Sequence, residues 1–492
     1  MKHNLNDVTF LRQYAVNFRK NLTFPLGEMT FTNNFIAKGN GEPYPVTLRE
    51  GEVTEAIENG ALKVCGQGRI CRVLGAYFPF AAYEVAFSAE NGSAGFVFAD
   101  RGGESPAVEI TCDGKTVTAK ASGCEPETFA VAGQADSLVV SARGRFFDIY
   151  TGAKGCLTLA GIFQAPCFER IQYESVFRRY KAEVCVHLQG QGSVTLHAVK
   201  QYMDCGIAQA DIRPIRYEDG TPMLENGRLF FTLSVRQEEG GYQGVVSVCP
   251  TGCDFRMEGA LFFDCGDGMW ASDVAASVLY DRCTGQWLIW VCSFSHGHIL
   301  GHATSQADVR HGVNVLDIKL MEPAAPTDDI TAFKGFEGDE DPDFYYDAGE
   351  NAWYLAICRT VPDETGRHYK YFRFRSDNPF EGFRFVERTF DGADTGGSFV
   401  KVGKKRYFVC GTAWNAPSLY KCCPADDFTH YTFLKFDYPD GGFRGWGTVV
   451  ALPKGSRLCC RLYTFDRMRG SDFTWSYGNL YCFEADDYLS GE

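Results

Sequence analysis

The sequence is short of everything that would mark it for a membrane or a polyanion. No apolar run approaches the roughly 20 residues that a spanning helix needs. The opening stretch MKHNLNDVTFLRQYAVNF has neither a continuous apolar segment nor a small-residue cleavage site, so no signal peptide is expected. Basic residues are in deficit: 48 Lys and Arg against 62 Asp and Glu leave a formal net charge of −14. Nucleic acid and anionic lipid both reward clustered cations, so neither is expected as a partner and a neutral or cationic small ligand fits better. Histidines number only nine, there is no CxxC pair, and Cys249 and Cys253 have no histidine nearby in sequence. No metal site and no cofactor are expected on that basis.

Cysteine itself is plentiful, with 20 residues. In a large chain without an export signal this predicts reduced, mostly buried thiols and a cytoplasmic location. At 492 residues the chain exceeds the usual limit of one domain, and its 40 Phe, 24 Tyr and 53 Gly favour strands joined by tight turns. Helix candidates are few and short, Asp7 to Phe18 among them. The fold class expected is all-β.

Two halves differ in their pattern. Residues 1–205 contain runs such as AAYEVAFSA, AGFVFAD, SLVVSARG and KAEVCVHLQ at spacings of roughly 8 to 15 residues, the signature of an antiparallel β-sandwich. Within it, Asp113-Gly114 predicts a two-residue type I′ hairpin. The order of strands resembles the concanavalin-like, laminin-G-like jelly roll.

Residues 206–492 repeat. GRLFFTLSV, GQWLIWVCSF, NAWYLAICRT, KRYFVCGTAW and SRLCCRLYTF are five aromatic-rich strands, each preceded by a turn and a small or acidic stretch, and four of them carry a cysteine near one common point. Five such units of four strands predict a five-bladed β-propeller. Its innermost strands start at a shared channel, so a side chain at that point faces the other four blades.

The segment Asp341, Pro342, Phe344, Asp347, Gly349, Tyr354, Leu355 carries a more specific likeness. It resembles the third-blade motif of the five-bladed propeller glycoside hydrolases, the clan of arabinanases, β-xylosidases and, more distantly, fructosidases. Trp270, Ala271, Ser272, Asp273 resembles their second-blade motif, and Asp219, Gly220, Thr221, Pro222 stands where the first-blade Asp-Pro is expected. The resemblance implies a carbohydrate substrate and an inverting mechanism: Asp219 as base, Asp341 tuning the acid, and Asp273 lining the pocket or holding a sugar hydroxyl. Trp270, Trp414 and Trp446 would line a sugar-binding face.

Two positions depart from that pattern. The place of the family's acidic glutamate is Gly396, and the fifth-blade histidine that serves a central ion in many relatives is replaced by Trp446. Asp394, two residues before the vacant position, is the first candidate for the acid. His296 and His298 are the alternatives, and both are candidates for substrate contact. Glu340 and Asp339 flank Asp341, and alternation along a strand lets only one of them share its face. Arg359 and Arg461 could each hold a carboxylate. The functional expectation is a glycoside hydrolase trimming a short oligosaccharide or glycoside, with a catalytically silent sugar-binding propeller as its rival.

Overall fold

The computed structural model describes residues 3–490 except 17–21, 33–34, 38–43, 104–106, 154, 206–207, 238–239, 271–272, 322–337, 364–365, 390–393, 413–418, 438–446 and 466–478. The chain forms two compact units. One contains Thr23–Asp204 and Gly268–Trp270; the other contains Met1–Leu22, Cys205–Asp267 and Ala271–Glu492. The first 22 residues therefore belong with the C-terminal part of the chain, which corrects a boundary drawn simply at 205.

The larger unit is a five-bladed propeller. The innermost strands of blades one to five are Ala208–Pro214, Asp273–Asp281, Glu340–Asp347, Asp394–Val402 and Thr448–Lys454, and they touch one another in order around a closed ring. Each pairs outward with one of the five aromatic strands seen in the sequence: Arg228–Gln237, Gln286–Ser293, Ala352–Asp363, Lys405–Thr412 and Arg457–Phe465. Closing the ring leaves few free sheet edges.

Blade five is completed by the start of the chain. Thr9–Val16 pairs antiparallel with Leu480–Ala485, placing Phe10 opposite Ala485 and Val16 opposite Leu480. The helix expected over Asp7 to Phe18 is thus a strand, preceded by a short 3-10 turn at Leu5–Asp7. Leu5, Val8 and Phe10 are fully buried against Val449, Leu462 and Phe483. A partner strand that supplies both hydrogen bonds and apolar surface overrides the helical preference of so short a segment.

Apolar side chains fill each seam between blades. Phe230, Val245 and Leu261 meet Val278 and Ile289 between blades one and two. Leu288 and Trp290 meet Phe344 and Leu355 in the next seam, and Tyr345 and Tyr354 meet Phe399 and Phe408 in the one after. The recurring cysteine is part of this seam chemistry. Cys292 and Cys358 occupy one position in blades two and three, and each thiol donates to a backbone oxygen of the following blade, Asp339 O at 3.3 Å and Asp394 O at 3.2 Å. Cys410 stands one residue earlier in its strand and is buried. All 20 cysteines are free thiols.

The smaller unit is a 12-stranded antiparallel sheet organised by two long strands, Ala82–Asp100 and Tyr180–Asp204, paired along most of their length. Tyr180–Asp204 pairs next with Ala61–Ala76 from Lys181 to Leu196 and with Thr23–Thr32 from Val199 to Asp204. Against Ala82–Asp100 the register breaks between Leu188 and Ser193, and there Gly92 lets the strands approach: a Cβ on it would lie 2.7 Å from His187 O. The turn after Cys112 centres on Gly114, with Asp113 N bonded to Thr116 O at 3.2 Å. Asp113 does not adopt positive φ, so this is not the expected type I′ pair; its carboxylate instead accepts from Lys115 N and Thr116 N.

Candidate functional site

The innermost strands share a local irregularity at their N-terminal ends. In blades one to four the ladder to the second strand skips between Ala210 and Arg213, Val274 and Ser277, Glu340 and Asp343, and Thr395 and Ser398. Each skip is a β-bulge of two residues, and the first of the two has positive φ: Asp211 at 54°, Ala275 at 54°, Asp341 at 48° and Gly396 at 60°. Left-handed backbone is costly for residues with a side chain. Its recurrence in three non-glycine residues marks a slot built into the repeat.

That slot holds an aspartate in blades one and three, an alanine in blade two and a glycine in blade four. Asp211 and Asp341 are both buried, 4 % and 5 % exposed. In blade three the second bulge residue is Pro342, whose missing N–H costs nothing where the ladder is already interrupted. The bulge amides elsewhere staple one blade to the previous one. Ala275 N donates to Ser234 Oγ at 2.9 Å and Ala276 N to Gln243 Oε1 at 3.3 Å. In blade four Gly396 N donates to Asp341 Oδ2 at 2.9 Å, joined there by Thr395 Oγ1 at 3.1 Å, while Gly397 N donates to the Tyr371 hydroxyl.

Two buried arginines lie beneath these bulges, Arg213 on the innermost strand of blade one and Arg216 on a short strand paired with that of blade two. Arg213 is 2 % exposed; its Nη1 donates to the carbonyls of Gly396, at 3.3 Å, and of Gly397. Its Nε and Nη2 have no partner among the described residues. Burial works against the guanidinium's charge, but Tyr371, Asp341, Asp343 and Asp211 around it outweigh that and raise its pKa. Arg216 Nη1 donates to Phe399 O at 2.7 Å, and its Nη2 donates to Asp343, which also accepts from Ser277 Oγ at 2.5 Å and Phe399 N at 2.6 Å. A residue on the short strand Arg216–Tyr217, which pairs parallel with the innermost strand of blade two, thus ties blades two, three and four together. Burial, with the Asp341 carboxylate next in effect, pushes the Tyr371 hydroxyl well above its ordinary range.

Asp219, read from the sequence as the base, lies elsewhere. Its carboxylate accepts from Lys401 Nζ at 2.5 Å and pairs with Arg282 at 3.2 Å. Neighbouring Glu218 accepts through its carbonyl from Tyr346 N, at the far end of the strand that Asp341 begins. Five residues of extended strand separate Tyr346 from Asp341, about 16 Å at ~3.3 Å per residue. Asp219 therefore closes the opposite end of the channel. The residue in the slot of blade one is Asp211, which was passed over because Asp219, Gly220, Thr221, Pro222 matches the expected first-blade Asp-Pro more closely.

Asp394 is fully buried, with Oδ1 accepting from Lys421 Nζ at 2.7 Å; burial raises its pKa, against the pull of Lys421. Blade three has the same device two residues before its slot, where Asp339 Oδ1 accepts from Arg359 Nε at 2.9 Å. A carboxylate with no exposed surface and a lysine at hydrogen-bond distance has no route to a leaving group, and its repetition in blade three points to blade construction. Arg461 likewise holds a carboxylate, that of Glu484.

His298 has positive φ, 58°, and stacks on Phe294 with ring centroids 4.0 Å apart; its Nδ1 lies 3.8 Å from Glu340 Oε1, beside Asp341. His296 is held through Nδ1 by Ser293 Oγ at 2.9 Å and lies 3.4 Å from Asp267 through Nε2. Trp270 belongs to the smaller unit and packs edge-on against Phe78 and Phe177, at 5.9 and 4.9 Å, where it serves a core and not a sugar face. Of Asp273 the backbone alone is described, and Trp414 and Trp446 lie outside the described residues. No group of three metal-ligating side chains occurs among the described residues.

No family model and no curated protein matches this chain. Among solved structures it is similar to a thermostable family-43 glycoside hydrolase, at 12 % identity and TM-score 0.39, over 58 % of this chain and 91 % of that one. It is also similar to the catalytic domain of the Coprinopsis cinerea GH62 α-L-arabinofuranosidase, at 10 % identity and TM-score 0.37, covering 58 % and 92 %. Bacillus subtilis levansucrase is another, at 12 % identity and TM-score 0.38, covering 58 % and 87 %.

Proposed function

We propose that the propeller is a glycoside hydrolase acting on a terminal sugar of a short oligosaccharide or glycoside. The observation that supports this is the placing of Asp211 and Asp341 in one repeated slot at the head of the channel, over the Arg213 guanidinium. Inverting hydrolysis needs one carboxylate to activate water and a separate proton donor for the leaving oxygen. In this reading Asp211 is the base. Asp341, held by Gly396 N and Thr395 Oγ1, orients the sugar and sets the field around the donor. Glu340 and His298, adjacent to Asp341, supply the proton in place of the glutamate absent at Gly396. The cytoplasmic setting expected from the sequence belongs to this reading.

A panel of aryl and natural glycosides tests it. Asp211→Asn should remove turnover on all of them while the thermal midpoint stays within a few degrees. His298→Gln should cripple natural glycosides but spare those with activated leaving groups, which need no proton. Full turnover by Asp211→Asn would refute the assignment.

One observation favours the rival, a sugar-binding propeller without catalysis. The blade-four bulge, where the acid would stand, is engaged on all sides: its amides hold Asp341 and Tyr371 and its carbonyls hold Arg213. Calorimetric binding of sugars by a chain that hydrolyses none of the panel would establish that reading.

A further inference from the structure

The smaller unit carries a groove of about 740 Å³ where its two long strands change register. Its base is the buried Phe87, and one side is the turn at Asp113–Thr116. That volume is in the range of small-ligand sites, about 300–1,000 Å³. The groove is lined by amides and hydroxyls. Asn91, Gln134 and Gln189 contribute side-chain amides, and Ser93, Thr116 and Thr118 contribute hydroxyls. None of these six side chains hydrogen-bonds to another described residue, so their donors and acceptors are available to a ligand.

The ionisable groups narrow the ligand class. Asp113 and Asp136 face one lysine, Lys115. The fourth ionisable group, His187, lies 3.4 Å from Glu109 through Nε2, and burial lowers its pKa despite that carboxylate, so it is uncharged near neutrality. A phosphate or nucleic acid would meet more anions than cations here, and an apolar ligand would strand six polar side chains without water. A neutral polyhydroxylated ligand satisfies both constraints, since each hydroxyl can donate and accept against an amide, a hydroxyl or a carboxylate.

We propose that this groove is a second carbohydrate site, taking a short neutral oligosaccharide, separate from the propeller channel and independent of whether the propeller is catalytic. Asn91, in left-handed conformation at φ 53°, and Gly92 shape its corner.

The test is calorimetric titration of the full chain with xylotriose, cellotriose, mannotriose and arabinotriose, in a background of Asp211→Asn and Asp341→Asn so that nothing is turned over. At least one trisaccharide should bind. Replacing the exposed pair Gln134→Ala and Gln189→Ala should weaken it tenfold or more, and Gln134→Trp, which fills the groove, should abolish it, with unchanged thermal midpoints. Saturation-transfer contact with the ligand should disappear in the same variants. The same groove substitutions in the otherwise native chain should leave glycoside turnover intact. Trisaccharide binding that survives Gln134→Trp undiminished, or no binding by any of the four, would overturn the proposal.

Discussion

The two ends of the propeller channel hold aspartates in opposite circumstances. At one end Asp219 is partly exposed and matched by Lys401 and Arg282. At the other, Asp211 and Asp341 are buried in strained backbone around an arginine whose Nε and Nη2 have no partner among the described residues. The first end spends its charges on one another. The second collects three carboxylates, Asp211, Asp341 and Asp343, near two guanidiniums, Arg213 and Arg216, and fixes them with bulges that recur in four blades. Strain and buried charge at one end, with paired charge at the other, is the pattern of a site opposed to a structural seal.

The largest effect that should separate the ends is on turnover. Asp211→Asn should lower kcat on natural glycosides by about 10²- to 10⁴-fold, the usual cost of a lost general base, whereas Asp219→Asn should stay within about twofold. Equal losses would erase the distinction. Next in size is stability in the channel. Arg216→Met leaves Asp343 buried without its cation, which typically costs about 3–5 kcal/mol in chemical unfolding. The double change with Asp343→Leu should recover much of that, because two apolar side chains leave no unpaired charge.

A finer contrast lies within the blade-four bulge. Gly396 shares its conformation with Asp211, Ala275 and Asp341, so Gly396→Glu should fold, at a cost of about 1–3 kcal/mol for a side chain at positive φ. Gly397→Ala should do worse, since its Cβ would stand 2.2 Å from Phe408 Cζ and 2.5 Å from Tyr371 Cζ. Circular dichroism melts of the two variants decide it. If Gly396→Glu also gains turnover on natural glycosides, the glycine at that position limits the native chain.

The smallest effect is on pH dependence at the sealed end. Although burial alone would raise it, the hydrogen bonds from Lys401 and Thr221 hold the Asp219 pKa well below its ordinary value. A depressed folded pKa stabilises above the unfolded value, about 3.9, and that contribution is lost as pH falls below it. Thermal midpoints of Asp219→Asn should therefore drop less between pH 4 and 2 than those of the native chain.

The propeller could be read from the sequence because each second strand advertises itself with aromatics, four of the five with a cysteine, and in blades two and three that thiol reaches the next blade. Asp341 was visible because Pro342 and the following turn residues form a local motif. Asp211 was not: it is followed by Ile212 and Arg213, and nothing local distinguishes it from the Asp219-Gly220 turn eight residues on. Only the register skip, a property of two strands together, makes it equivalent to Asp341. The strand at Thr9–Val16 was hidden for a related reason, since its partner lies at the other end of the chain. Trp270 misled because its neighbours Phe78 and Phe177 are remote in sequence.

That first strand also sets an order of events. Thr9 N bonds the side chain of Asp486, 477 residues away. During synthesis the strand must wait for its antiparallel partner until every blade has been made and Leu480–Ala485 is available to receive it. Ring closure is then the last step of folding and the slowest to search for. The segment 23–204 can mature meanwhile as a unit between two pieces of one propeller. Removing residues 1–200 would leave blade five without its outermost strand, whereas joining residue 22 to residue 205 keeps the latch and omits only the insertion.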